Sequence, residues 1–406
     1  MKLSILSACA RRTSAWAALS ATLAAALLVA CGGGGGGAST PSAGTTSTPM
    51  SVYAAGPITG FGSVIVNGVR FDDSDATITD DDGNAVAESA LRLGMQVECA
   101  GEPGSDDAHG VAHAILVHSA LIGPVSAVDT AAGTLTVLGQ TVTVDAQTAF
   151  DTALTGGLAS VTVGAVVQVH GQFDAASASY LATRVDLDAA ATHYRIRGTL
   201  TAVDTSAKTL AIGPTSVDFS ATPNVPADLA VGKLVVIRLA VTPVNGVWTA
   251  TAIFDGQRLM HDHDEAHLRG VISAFTSVTQ FSVDGNPVDA SNATFPDGQS
   301  GIVLGATVEV EGELVNGVVV ARVVGVDDEQ EHDGSRVELH GTISALDTTA
   351  QTFVVRSVTV SYAGNVDFHD GTAASLADGL FVEVRGGFST DGTVVDATSI
   401  DLKPAD

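Results

Sequence analysis

Along most of this chain, apolar residues fall on alternate positions. Three stretches read VQVHG, VEVEG and VEVRG, with Val167 and Val169, Val308 and Val310, and Val382 and Val384 alternating with polar residues. Period two is the signature of a strand with one face in a core and one in water. These runs end at Gly, Asp and Asn, which supply turns. No long stretch shows the 3.6-residue period of a helix, so the pattern predicts an all-β protein.

The strands recur in register. A glycine just inside a strand begins each unit, at Gly56, Gly123, Gly198, Gly270 and Gly341, at spacings of 67, 75, 72 and 71 residues. A second anchor follows, reading LRLGMQVECAG, VTVGAVVQVHG, LAVGKLVVIRL, IVLGATVEVEG and LADGLFVEVRG, with glycines Gly94, Gly164, Gly232, Gly305 and Gly379. Three residues on, every copy has Val: Val97, Val167, Val235, Val308 and Val382. Four copies then close with Gly101, Gly171, Gly312 or Gly386, where repeat three has Leu239. A third anchor, A-x-x-[IV], ends each unit, as in Ala182 to Val185. Hairpins between the first two anchors turn at Gly139 or at Asp284-Gly285. Five or six short strands per unit predict a tandem array of five small β-barrel modules, since closure hides sheet edges. Leu91, Val161, Leu229, Ile302 and Leu376 are expected on one helical turn plugging the barrel end. The units span 53–119, 120–190, 192–258, 267–326 and 336–403. Acidic linkers are expected at 259–266 and 327–335.

The N-terminus departs from this pattern. Lys2, Arg11 and Arg12 precede the apolar run Ala15 to Ala30, which reads as a signal peptide over 1–30. The run ends Leu28-Val29-Ala30-Cys31 and resembles a bacterial lipobox. That resemblance implies cleavage before Cys31 and acylation of Cys31, palmitate included. Gly32 at the next position implies sorting to the outer membrane. Residues 31–50, rich in Gly, Ser, Thr and Pro, read as a flexible tether. Cys9 leaves with the signal and Cys31 carries lipid, so Cys99 stands alone and no intrachain disulfide forms. It sits where the other repeats have Val169, Ile237, Val310 and Val384, so it is expected in the core.

Charge narrows the partners. The chain has a formal net charge of −27; without its first 30 residues, 15 basic face 45 acidic residues. Such a chain repels nucleic acid.

The anchors G-x-[IL]-S/T, L-x-x-G-x-x-V-x-V-x-G and A-x-x-[IV], recurring in order over 53–403, resemble the bacterial domain of unknown function 5666. The resemblance implies surface or periplasmic proteins, often lipoproteins, and supplies no catalytic residues.

The densest candidate chemistry is HDHDEAH, residues 261–267. His261, His263 and His267 with Asp262 and Asp264 can ligate a divalent metal. The same stretch also reads as a polar spacer at a junction, like the one carrying His332. DDDGNAVAES (80–89) fails the EF-hand template and reads as a turn with solvated aspartates. His109, His113 and His118 read as surface histidines. No nucleophile elbow, phosphate loop or dinucleotide fingerprint occurs. The sequence therefore points to a non-enzymatic envelope lipoprotein, lipid-anchored at the outer membrane. It would present its modules to an unknown protein or envelope polymer, with no cofactor and no nucleic acid. A metal-binding protein using the His/Asp-rich junctions is the alternative, and an envelope hydrolase a further one.

Overall fold

The computed structural model describes residues 50–106, 108–256, 261–327 and 337–403. The signal peptide, Cys31, the tether up to residue 49, His332 and 328–335 of the second linker lie outside the described residues.

Each repeat is a closed five-stranded barrel. In repeat two the strands are Leu121–Asp129, Thr134–Val137, Gln140–Thr143, Val166–Asp174 and Ser179–Leu187. The first pairs the second, the second the third, the third runs parallel to the fifth, and the fourth pairs both fifth and first. The parallel third-to-fifth pairing recurs in the other four copies, for example Arg70↔His109 and Val360↔Val395. This closed order, 1-2-3-5-4-1, is that of an OB-type barrel. The third barrel has it too, although Leu239 replaces the closing glycine. The ladder shifts register at Arg238/Leu239 as it does at His170/Gly171, so the bulge survives the substitution.

The second-anchor glycines share one job. Their φ values lie between +81° and +91°, a region L-residues avoid. In every copy this glycine's N–H donates to a first-strand carbonyl: Ile58, Val125, Leu200, Ile272 or Ile343. The preceding Leu91, Val161, Ile302 and Leu376 are buried, and short 3-10 turns stand just before Leu91, Val161 and Leu376.

Two-residue hairpins join the second and third strands. Both turn residues have positive φ at Asn67-Gly68, Leu138-Gly139, Asp284-Gly285 and Arg356-Ser357, as the I′ turn requires. Arg356-Ser357 lacks any residue suited to it. Ser357→Gly is therefore expected to stabilise the protein by about 1 kcal/mol, read as a raised urea midpoint at constant slope; an unchanged midpoint would contradict the strain.

The five barrels pack on one another rather than standing in line. Repeats one and five share one core, including Phe71, Cys99, Ile115, Phe353 and Val384. Repeats two and three share a second, with Leu121, Tyr180, Ile196 and Ile237. Repeat four's core takes in Tyr53 and Ala55 from repeat one. Strand alternation explains this. Val52 and Ala54 face their own barrel, and Tyr53 and Ala55 face repeat four. Repeat one's first strand also runs parallel to His263–Ser277 of repeat four (Val52↔Glu265 to Ala55↔Leu268). It meets Val337–Thr342 of repeat five through Gly60↔Glu338. Pairing with Val52–Ala55 on one side and with Gly312–Leu314 on the other draws His263 to Ala266, read from sequence as linker, into a strand.

Candidate functional site

The HDHDEAH residues do not converge. His261 is exposed. Asp262 accepts from Asn316 N (2.6 Å) and Asp264 from Ser51 N (3.0 Å). His263 stacks on Tyr53 with ring centroids 5.6 Å apart. His267 is buried and lies 3.2 Å from Glu265. His263 and Asp264 tie the start of repeat four to repeat one, and Asp262 ties it to repeat four's own Asn316. Among the described residues, only Glu338, His340 and Glu383 bring three potential ligand atoms within 4.8 Å of one another. Arg70 and Arg385 already bind Glu338, at 2.5 and 3.3 Å, and supply the positive charge a metal would bring.

A cleft of about 360 Å³ opens where repeats one, two, four and five meet. Ile58, Leu181, Val271 and Phe388 form apolar wall, and Gln96, Gln172, Thr183 and Arg269 bring polar groups. The polar groups hold the junction together. Gln96 Nε2 donates to Thr183 Oγ1 (3.2 Å), Val271 N to Gln172 Oε1 (2.8 Å), and Arg269 Nη2 to Asp327 (2.6 Å). Ala146 and Asp145 stand exposed at the rim.

Beside the cleft lies a buried charge network built by repeats one, three and four. His118 of repeat one bridges Asp81 (2.9 Å) and Glu98 (2.6 Å). Arg195 of repeat three pairs with Asp81 (3.3 Å) and Asp82 (2.5 Å). Arg238 also pairs with Asp82, and Arg197 meets Asp284 of repeat four at 2.9 Å. His193 of repeat three also stands 2.9 Å from Asp82, so four carboxylates face three guanidiniums and two imidazoles.

These positions correct three sequence readings. Asp81 and Asp82 occupy the expected turn but are not solvated, because Arg195 and Arg238 reach them from another barrel. His118 is buried rather than on the surface. The polar face of the fourth strand, at Gln96, Glu98 and His170, is covered by neighbouring repeats. Cys99 lies fully buried in the core, and burial pushes its thiol well up.

The network sets a pH profile. Burial raises the Asp81 carboxyl, but His118 and Arg195 outweigh it and hold it below the usual range. Burial opposes His118's charge, yet Glu98 and Asp81 raise its pKa to about 9. Burial lowers His170 to about 4, and its Nδ1 donates to the His118 carbonyl. His118 thus contributes stability that is full below its unfolded value near 6.5 and is lost as pH rises through 9. His170 works from the other side. It destabilises as pH falls from about 6.5 towards 4, because the unfolded chain takes up the proton first. Each effect is on the order of 3 kcal/mol. Melting midpoints are expected to peak near pH 6.5, and a flat profile from pH 5 to 9 would contradict these assignments.

A family model described as a domain of unknown function, DUF5666, matches residues 55–115, 122–186, 269–325 and 340–401. The chain belongs to this family. The matched segments are DUF5666 repeats one, two, four and five; the third barrel, which carries Leu239, falls outside them yet has the same strand order. No curated protein matches the chain. A solved structure of Drosophila Unr CSD456 is similar at 12% identity, over 52% of this chain and 98% of that one, with a TM-score of 0.14.

Sequence reasoning missed both the cleft and the network, because each is assembled from repeats far apart in the chain. One signal was present. The start of repeat one, Val52-Tyr53-Ala54-Ala55, has no polar alternation, as a strand buried on both faces requires.

Proposed function

We propose that this protein is a non-enzymatic, lipid-anchored protein of the bacterial outer membrane, whose DUF5666 barrels act together as a binding body for an envelope polymer or protein. The observation that carries the reading is the cleft of about 360 Å³ at the four-repeat junction. Concave sites with apolar walls and a few polar groups are the usual ligand sites. Its polar groups pair with one another, which suits holding a ligand more than turning one over. The lipobox-like Leu28-Val29-Ala30-Cys31 and the Gly-rich stretch after it support the anchor, and the charge of −27 disfavours nucleic acid.

Two measurements test this. Cys31→Ala is expected to abolish incorporation of labelled palmitate and to release the protein from outer-membrane fractions; continued labelling would refute the anchor. Ala146→Trp adds bulk at the exposed rim of the cleft without touching a core. Cosedimentation with purified peptidoglycan sacculi is expected for the parent and reduced about tenfold by this substitution. Absence of binding by the parent, or equal binding by both, would refute the cleft as the site for that polymer.

A further inference from the structure

The second-anchor loop is a docking element within the molecule; three copies stand clear of the other described residues, at Gly164, Gly232 and Gly379, and the first two of these carry an apolar residue before the glycine, Val163 and Val231, where repeat five has Asp378. In repeat one, Leu93 and Gly94 seat on the fifth strand of repeat two. Arg184 Nη1 donates to Leu93 O (3.1 Å), and Thr183 Oγ1 donates to Gly94 O (2.6 Å). A Cβ on Gly94 would lie 2.3 Å from Thr183 O, and Leu93 is only 3% exposed. Repeats two and three present the same loop. Gly164 and Gly232 have φ +91° each, close to the +81° of Gly94. The residue before each, Val163 and Val231, takes the place of Leu93 and is 66% exposed. Nothing lies within 4 Å of where a Cβ would stand on either glycine. A single exposed valine means little. The same residue, buried in one repeat and bare in two others on one backbone geometry, marks an interface with its partner missing.

The molecule also carries an open acceptor. Repeat four's fifth strand, Val318–Val326, presents Val320 and Arg322 outward at positions corresponding to the docked strand of repeat two. Val315, on the adjoining strand, adds to this face. Val315 and Val320 are 38% and 37% exposed. Among the described residues Arg322 forms an ion pair with Glu313 alone, at 3.8 Å, with both side chains about half exposed. Val320 and Arg322 stand where Leu181 and Thr183 stand on the docked strand, so Arg322 can offer a donor at the position from which Thr183 bonds Gly94 O.

The geometry points to self-association: the Val163–Gly164 or Val231–Gly232 loop of one molecule docks on the Val320/Arg322 face of a second copy of this chain. Loop and acceptor are different surfaces, so the contact is heterologous and adds copies in series. It does not depend on what the cleft holds.

Sedimentation velocity on the full chain in detergent, over a concentration series, tests this. The parent's mass is expected to rise with concentration. The double variant Val163→Asp/Val231→Asp, which keeps the acceptor, and Arg322→Glu, which keeps the loops, are each expected to stay at the monomer mass. Mixing the two variants is expected to restore complexes of two or three chains and nothing larger, because each Arg322→Glu molecule offers two intact loops and each loop variant a single acceptor, so no chain can extend further. Unchanged melting midpoints would show that both variants fold. A parent that stays monomeric, variants that associate as the parent does, or a mixture that forms no pairs would overturn the proposal.

Discussion

Arg195→Met is expected to destabilise the protein by about 4 kcal/mol. Arg195 is 3% exposed. It pairs with Asp81 and Asp82 and donates to Ser119 Oγ at 2.8 Å. Methionine fills similar space but removes the one cation shared by two buried carboxylates, leaving Asp81 to His118 and Asp82 to Arg238. Removing one member of a buried ion pair is far more damaging than removing an exposed one, since the remaining charge keeps its full desolvation penalty. Arg322→Met is the control: its exposed pair with Glu313 predicts a change within about 0.5 kcal/mol. Urea unfolding at constant slope measures both. Equal effects would mean that the network does not tie repeat three to repeat one.

Gly94→Ala is expected to destabilise by about 3 kcal/mol and Gly164→Ala by about 1 kcal/mol. Both glycines occupy the same left-handed position, so each alanine carries the same backbone strain. Only Gly94 has a neighbour in the way, the Thr183 carbonyl 2.3 Å from the new Cβ. The methyl group must push repeat one off repeat two or bend the strand that receives it. At Gly164 there is open space. The difference between the variants therefore reports the contact between repeats, with local strain cancelled. Equal losses would place all of the effect in the loop.

The barrel was legible in the chain because its determinants are local. Val167 and Val169 alternate with Gln168 and His170 within one strand, and Gly164 recurs at one point in each unit. Cys99 was placed in the core by comparison with Val169 and Val310. Packing between barrels was not legible, because nothing local separates a polar residue that meets water from one that meets an arginine of another repeat. Glu98 and Glu309 occupy equivalent positions, yet Glu98 is buried against His118 and Glu309 lies on the surface. The stretch at 261–267 looked like chemistry because of its residue types. In the structure Asp262 and Asp264 cap backbone N–H groups of Asn316 and Ser51, a job for which composition gives no sign.

The five DUF5666 barrels form one body with repeat one against repeats four and five. Small-angle X-ray scattering on residues 50–406 tests it most directly. A single compact body of this size predicts a radius of gyration of about 21 Å and a bell-shaped Kratky curve. A markedly larger radius, with the extended distance distribution of barrels in a row, would contradict it.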